Sequence, residues 1–173
     1  EITVQKKNNV NGKINFNDGS LTYNGEGQEY KTAELDDSVT AGTGGTWTYT
    51  YAVKSGATGM LDTATGLPKI VGTYTVTATY EDSSNIGSKS ATLNITPKTV
   101  DIPATDTTVY TYDGTAKTYK IPTSPYYTVS GNIQTNANEA GHIVTVTLTD
   151  STNTIWKGNS TGQKIFMFKI MKA

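Results

Sequence analysis

The sequence predicts an all-β chain made of two tandem β-sandwich domains. Three observations carry that expectation: the composition, stretches of period-two alternation, and one order of motifs that occurs twice. The chain has 173 residues, with 17 glycines, 11 tyrosines and only 3 phenylalanines. Threonine is very common, and Thr and Tyr suit strands with one buried and one wetted face. Gly, Asn and Asp supply the turns. Leucine and glutamate are sparse, and no stretch keeps a 3.6-residue period over three turns.

The strands can be read in order. Residues 47–53, "WTYTYAV", send Trp47, Tyr49, Tyr51 and Val53 one way and Thr48, Thr50 and Ala52 the other. Residues 72–82, "GTYTVTATYED", repeat the pattern with Tyr74, Val76, Ala78 and Tyr80. Residues 90–97, "SATLNITP", set Ala91, Leu93 and Ile95 on one face. In the second half, "TVYTY" alternates up to Tyr112 and meets a turn at Asp113-Gly114. Residues 142–150, "HIVTVTLTD", set Val144, Val146 and Leu148 opposite Ile143, Thr145, Thr147 and Thr149. Residues 163–171, "QKIFMFKIM", are apolar on both faces, as expected of a central strand or one partly covered by a neighbour.

The domain count comes from repetition. "YNGEGQEYK" begins at Tyr23, and "YDGTAKTYK" begins at Tyr112. Each phrase is followed by a glycine (Gly72, Gly141), an alternating strand, an Asp-x-x-Asn turn (Asp82 to Asn85, Asp150 to Asn153) and a closing strand. Four features in the same order twice indicate a duplicated module. Pro97 lacks an amide donor and ends the strand before it, which places the boundary near residues 96–100. The expected domains are residues 1–98 and 99–173, set end to end. The first carries surplus chain near residues 36–68, read as an extra hairpin or a long loop. Asn24-Gly25 and Asp113-Gly114 are strong short hairpin signals, because both positions tolerate positive φ.

Composition also excludes functions. Net charge is −1 and all 14 basic residues are lysine, so no long-range field and no arginine fork favour nucleic acid. There is no cysteine, hence no disulfide and no thiolate metal site. No run of 18 apolar residues is present, so no helix is expected to enter a membrane. The start, "EITVQKKNNV", lacks the apolar core of a signal peptide, which leaves a cytosolic protein or a mature or excised piece of something larger.

Chemistry-bearing residues are few. His142 is the one histidine and reads as a strand-end surface residue; alone it makes a poor metal site. Asp36-Asp37 and Glu81-Asp82 are adjacent carboxylates, which point to opposite faces of a strand and cannot flank one bond. The Asp-x-x-Asn segments read as polar turns, with a weak calcium site of oxygen ligands as the alternative. No catalytic residue and no cofactor is expected. The ligand-contact candidates are aromatic: Trp47, Tyr49, Tyr51, Tyr126, Tyr127 and Trp156. Core or cross-strand packing is the ordinary role of such rings, and a stacking platform for sugars is the functional alternative.

The residues also resemble a family. "YDGTAKTYKI" followed by "NEAGHIVTVTLTDSTNTIWKGNSTGQKIFMFKI" is similar to the MBG/YDG-type repeats of large bacterial surface proteins. Tyr112, Asp113 and Gly114 match the first motif, Ala140 and Gly141 the second, and Asp150, Asn153 and Trp156 the third. His142, Ile143 and Ile155 depart from the pattern. In the first half "VGTYTVTATYED" matches well, but Asn24 replaces the Asp and no Trp follows the turn. The resemblance implies Ig-like β-sandwiches strung along secreted or cell-wall proteins, with an extracellular or cell-surface setting and no assigned catalytic residue. It implies a structural spacer or stalk. The alternative is an adhesin-like module that binds glycan or a host or matrix protein. An isolated fragment of this kind is expected to be a monomer.

Overall fold

The computed structural model describes residues 6–173, and the description below is of those residues. The chain is nearly all β, with one short 3-10 turn at Asn11–Lys13 and no α-helix among the described residues. It divides into two compact units between Thr96 and Pro97.

The first unit contains β1 (Asn8–Asn9), β2 (Ile14–Asn15), β3 (Gly19–Thr22), β4 (Glu34–Leu35), β5 (Thr46–Val53), β6 (Gly72–Glu81) and β7 (Asn85–Thr96). Its main sheet has the order β1-β7-β6-β5, and β3 adds to β7 further along. The β5, β6 and β7 pairings are antiparallel and continuous in register, while β1 and β3 run parallel to β7. Period two decides the faces. Tyr74, Val76, Ala78, Tyr80, Ala91, Leu93 and Ile95 are buried together. Val10, Ile14, Phe16 and Ala33 cover them from the β2/β4 ribbon and the chain around it. The opposite face of the sheet is largely threonine and serine, with Thr50, Thr77 and Ser90 in one cross-strand row.

The second unit contains β8 (Lys98–Val100), β9 (Tyr110–Thr111), β10 (Lys117–Thr118), β11 (Tyr127–Ser130), β12 (Ile133–Gln134), β13 (Asn138–Leu148), β14 (Thr154–Trp156) and β15 (Lys164–Met171). Its main sheet is β11-β13-β15-β9, flanked by the β10/β12 and β8/β14 pairs. Val144, Val146, Leu148, Phe168 and Ile170 face inward against Tyr110, Tyr119, Val100 and Trp156. β15 lies between β13 and β9, and its outward residues Ile165 and Met167 are exposed beside Ile143. "TVYTY" contributes only two strand residues, and Val109 stands in solvent at 82% exposure.

The repeated phrase does the same mechanical work in both units, but not as a hairpin. Gly25 and Gly114 adopt positive φ, at 91° and 82°. Asn24 Oδ1 accepts the Glu26 amide, and Asp113 Oδ1 accepts the Thr115 amide, so each is a side-chain-closed turn. The hairpin expectation fails because the strand before each turn pairs parallel with the closing strand: β3 with β7, and β9 with β15. The chain then crosses to the other layer instead of folding back. The Tyr23 amide donates to Thr96 O and the Tyr112 amide to Met171 O, each at 2.8 Å. The tyrosine that ends each phrase repeats too. Tyr30 OH donates to Asn17 O, and Tyr119 OH accepts from the Asp106 amide. Both contacts reach back 13 residues.

The Asp-x-x-Asn turns are also equivalent. Asp82 Oδ1 accepts the amides of Ser84 and Asn85, and Asp150 Oδ1 those of Thr152 and Asn153. Asn85 and Asn153 close the turn by donating Nδ2 to the same aspartate. The surplus chain of the first unit takes the form of a longer edge strand and a longer connection. β5 has eight residues where its counterpart β11 has four, and residues 54–71 join β5 to β6.

Candidate functional site

The sequence nominated six aromatic residues, and the structure divides them. Trp47, Tyr49 and Tyr51 are half-buried at successive same-face positions of β5. The Trp47 ring packs on Tyr80 at 5.1 Å and stacks with Tyr49 at 6.2 Å. Tyr49 meets Phe16 edge-on at 6.2 Å. Tyr51 OH accepts the Tyr30 amide at 3.1 Å, and burial pushes its phenol up while that bond opposes the shift.

These three rings do not merely fill a core. They line an open groove of about 540 Å³ together with Thr48, Thr50, Glu29, Lys31 and residues 65–67. That volume lies within the range of about 300–1,000 Å³ usual for ligand clefts. The Lys31 ammonium stands 2.6 Å from Glu29, which raises the lysine further. On the far wall, Asp62 organises the loop. It accepts the amides of Ala64 and Thr65 and pairs with Lys69 at 2.7 Å. The Lys69 ammonium and then those amides hold its carboxyl down to about 2. Gln28 N donates to Pro68 O and joins the two walls.

The other three candidates sit in the second unit. Trp156 has 0% exposure and leaves the ligand-contact set, because its indole has no free face. It packs against Tyr127 at 5.8 Å and donates Nε1–H to Gly162 O. Tyr127 donates its hydroxyl to Pro122 O and lines a smaller hollow of about 260 Å³ with Ile121, Ser124 and Val129. Tyr126 is covered by the Lys98 ammonium, 5.0 Å from its ring centre.

The remaining polar candidates are consumed by structure. Asp82, 3% exposed, has both oxygens occupied. Beyond the turn amides it accepts Tyr80 OH and the Gly42 amide. Burial opposes its ionisation, but the bonds from Asn85, Ser84 and Gly42 outweigh burial and hold the carboxyl well below the usual range. Glu81 pairs with Lys7 instead of facing a second acid, and Asp36 closes a turn on the Ser38 amide. His142 lies within β13 against Phe168, with Nε2 at 2.8 Å from Asn136 O. Among the described residues no group of three or more His, Asp or Glu is close enough to hold a metal.

The sequence located the β5 rings but missed Glu29, Lys31 and residues 65–67. Glu29 and Lys31 belong to the repeated phrase, and nothing in its spacing announced that it lies across from β5. No protein-family profile matches this chain, nor does any curated protein or solved structure.

Proposed function

We propose that the chain is a non-catalytic tandem module of a bacterial surface or secreted protein, a spacer whose two Ig-like sandwich units carry tension along a stalk. One observation carries the reading. In each unit an early strand runs parallel to the closing strand, residues 19–22 beside 93–96 and residues 110–111 beside 170–171. A pull on the two ends drives such strands past one another. Their hydrogen bonds lie across the force and share it, where a hairpin would open bond by bond. The paired amides of Tyr23 and Tyr112 extend each clamp by one bond. The wet Thr/Ser face of the first sheet supports solubility without a partner.

Single-molecule pulling on the full chain tests this. Two unfolding events are expected, and Tyr23→Pro and Tyr112→Pro, which each delete one clamp amide, lower the force of their own unit. Unfolding at forces that neither substitution changes sinks the tension-bearing reading.

A second reading has its own support. The groove along β5 favours an adhesive module for glycan or a host or matrix protein, because three aromatic rings and an ion pair converge on it.

A further inference from the structure

We propose that the open edge of β5 is a strand-addition site that takes an extended segment of another polypeptide. The inference rests on the adhesive reading and names the chemistry of its ligand. The ladder sets which groups are free. The Lys54 amide donates to Thr73 O, just beyond the last registered pair of β5 and β6. Antiparallel bonding alternates, so the even positions Thr46, Thr48, Thr50 and Ala52 bond to β6. The amides and carbonyls of Trp47, Tyr49, Tyr51 and Val53 turn to the open side, where no strand among the described residues pairs with them.

Soluble proteins guard such edges with lysine, proline, bulges or brevity. β5 has none of these devices: its eight residues, TWTYTYAV, carry no charge, no proline and no register shift. Three other strands with open stretches are guarded. On β7, between its pairings with β1 and β3, the Ser88 amide donates to Asn11 Oδ1 and the Thr92 amide to Asp18 Oδ1. β11, the counterpart of β5, has four residues and follows Pro125 closely. β15, open along much of one side, carries Lys164 and Lys169.

The groove defines the occupant. Five consecutive residues, 47–51, line it, inward and outward positions alike, so it follows the course of the strand. Glu29, Lys31 and residues 65–67 wall its other side. The slot therefore accepts one bare strand. A second copy's β5 would bring its own Glu29, Lys31 and residues 65–67 into the same space, which argues for a peptide over self-pairing. The inserted strand continues the alternation of the sheet. Its inward residues meet the rings of Trp47, Tyr49 and Tyr51 and the Leu67 side chain, and its outward residues lie beside Thr48 and Thr50. The matching ligand alternates apolar or aromatic residues with polar ones.

The test uses the full, isotope-labelled chain. The probes are a synthetic peptide with the sequence of β6, GTYTVTATYE, a displayed library of ten-residue peptides, and a panel of glycans. At saturating peptide, amide exchange at Trp47, Tyr49 and Tyr51 is expected to slow by about tenfold or more. Thr48 and Thr50, already bonded to β6, change little. Tyr49→Pro removes one open-side amide at a position where an edge strand tolerates proline, and it is expected to abolish binding. Tyr49→Ala keeps the amide and retains binding within about tenfold, or about 1.4 kcal/mol. Equal loss in the two variants overturns the proposal, because the ring and not the backbone would then carry binding. If Tyr49→Pro does not fold, the exchange pattern of the unaltered chain decides. Glycan binding without protection of the three amides overturns strand addition and leaves the adhesive reading standing. No binding by any peptide overturns strand addition, and silence from the glycans as well removes both.

Discussion

Replacing Trp156 by alanine is expected to damage the second unit more than any change to the β5 rings damages the first. The indole is fully buried among Val100, Val146 and Leu148 and packs on Tyr127. Its Nε1–H donates to Gly162 O at 2.9 Å, and its own amide and carbonyl hold the turn through Ser160 and Asn159. Truncating a buried aromatic to alanine costs about 3–5 kcal/mol, from lost burial and the cavity left behind. A unit of this size holds roughly 4–12 kcal/mol in total. The variant thus removes a large share of the unit's stability, and its midpoint is expected to fall by more than about 12 °C. Trp156→Phe keeps most of the ring contacts and leaves Gly162 O without its donor, for about 1–2 kcal/mol. Urea unfolding followed by resolved amide signals of residues 97–173 measures both. A Trp156→Ala cost below about 1 kcal/mol would refute the burial argument. A phenylalanine variant as damaged as the alanine one would show that the hydrogen bond, not the packing, dominates. Lost ligand binding in Trp156→Ala would therefore report on folding and not on a contact.

Further predictions address the repeated devices. Asn85→Ala removes the Nδ2 bonds to Thr40 O and Asp82 in a buried turn, and is expected to cost about 1–3 kcal/mol in the first unit by urea denaturation. Tyr119→Phe deletes the acceptor for the Asp106 amide while keeping the ring in the core. About 1 kcal/mol is expected in the second unit, and no loss would show that the 13-residue staple is idle. A Cβ at position 87 would meet Asn11 N at 2.8 Å and the Val10 carbonyl carbon at 2.9 Å; Gly87→Ala is expected to cost about 1–3 kcal/mol, read as a lower thermal midpoint. Acid sensitivity has a defined sign. Asp62 lies at about 2, through Lys69 first, and Asp106 lies well below the usual range through the Thr108 hydroxyl and the Lys120 amide. Both fall below the unfolded value of about 3.9, so their stabilisation is complete above that pH and is lost as pH falls through the folded values. Urea midpoints are expected to stay level above about pH 4 and to drop from there toward pH 2; a drop beginning at pH 6 would contradict the assignment.

Much of this was legible because period two speaks plainly. The alternation in "GTYTVTATY" and "HIVTVTL" set Tyr74 with Val76, and Val144 with Val146, on one face, since successive strand side chains must face opposite ways, and those faces are buried. The duplicated phrase announced a duplicated structure, down to the Asp-x-x-Asn latches. It misled about the turns, because Asn-Gly and Asp-Gly report positive φ and not where the next residues pair. For Trp156 the sequence left core packing and ligand contact both open, since exposure of a ring at a strand end depends on what crosses over it, and burial selects the core. The walls of the groove carried no local signal at all, because Glu29 and Thr65 meet β5 only through contacts distant in sequence.

The sequence by itself determined the all-β class, the two faces of each alternating strand and the twofold repetition, because these follow from local alternation and composition. Only the tertiary structure decided that the closing strands pair parallel with the strands before each Tyr-x-Gly turn, that Trp156 is core, and that the eight-residue edge of β5 stands open beside a walled groove. Those features depend on which strands become neighbours, and that choice is made by the burial of the whole unit rather than by any one segment.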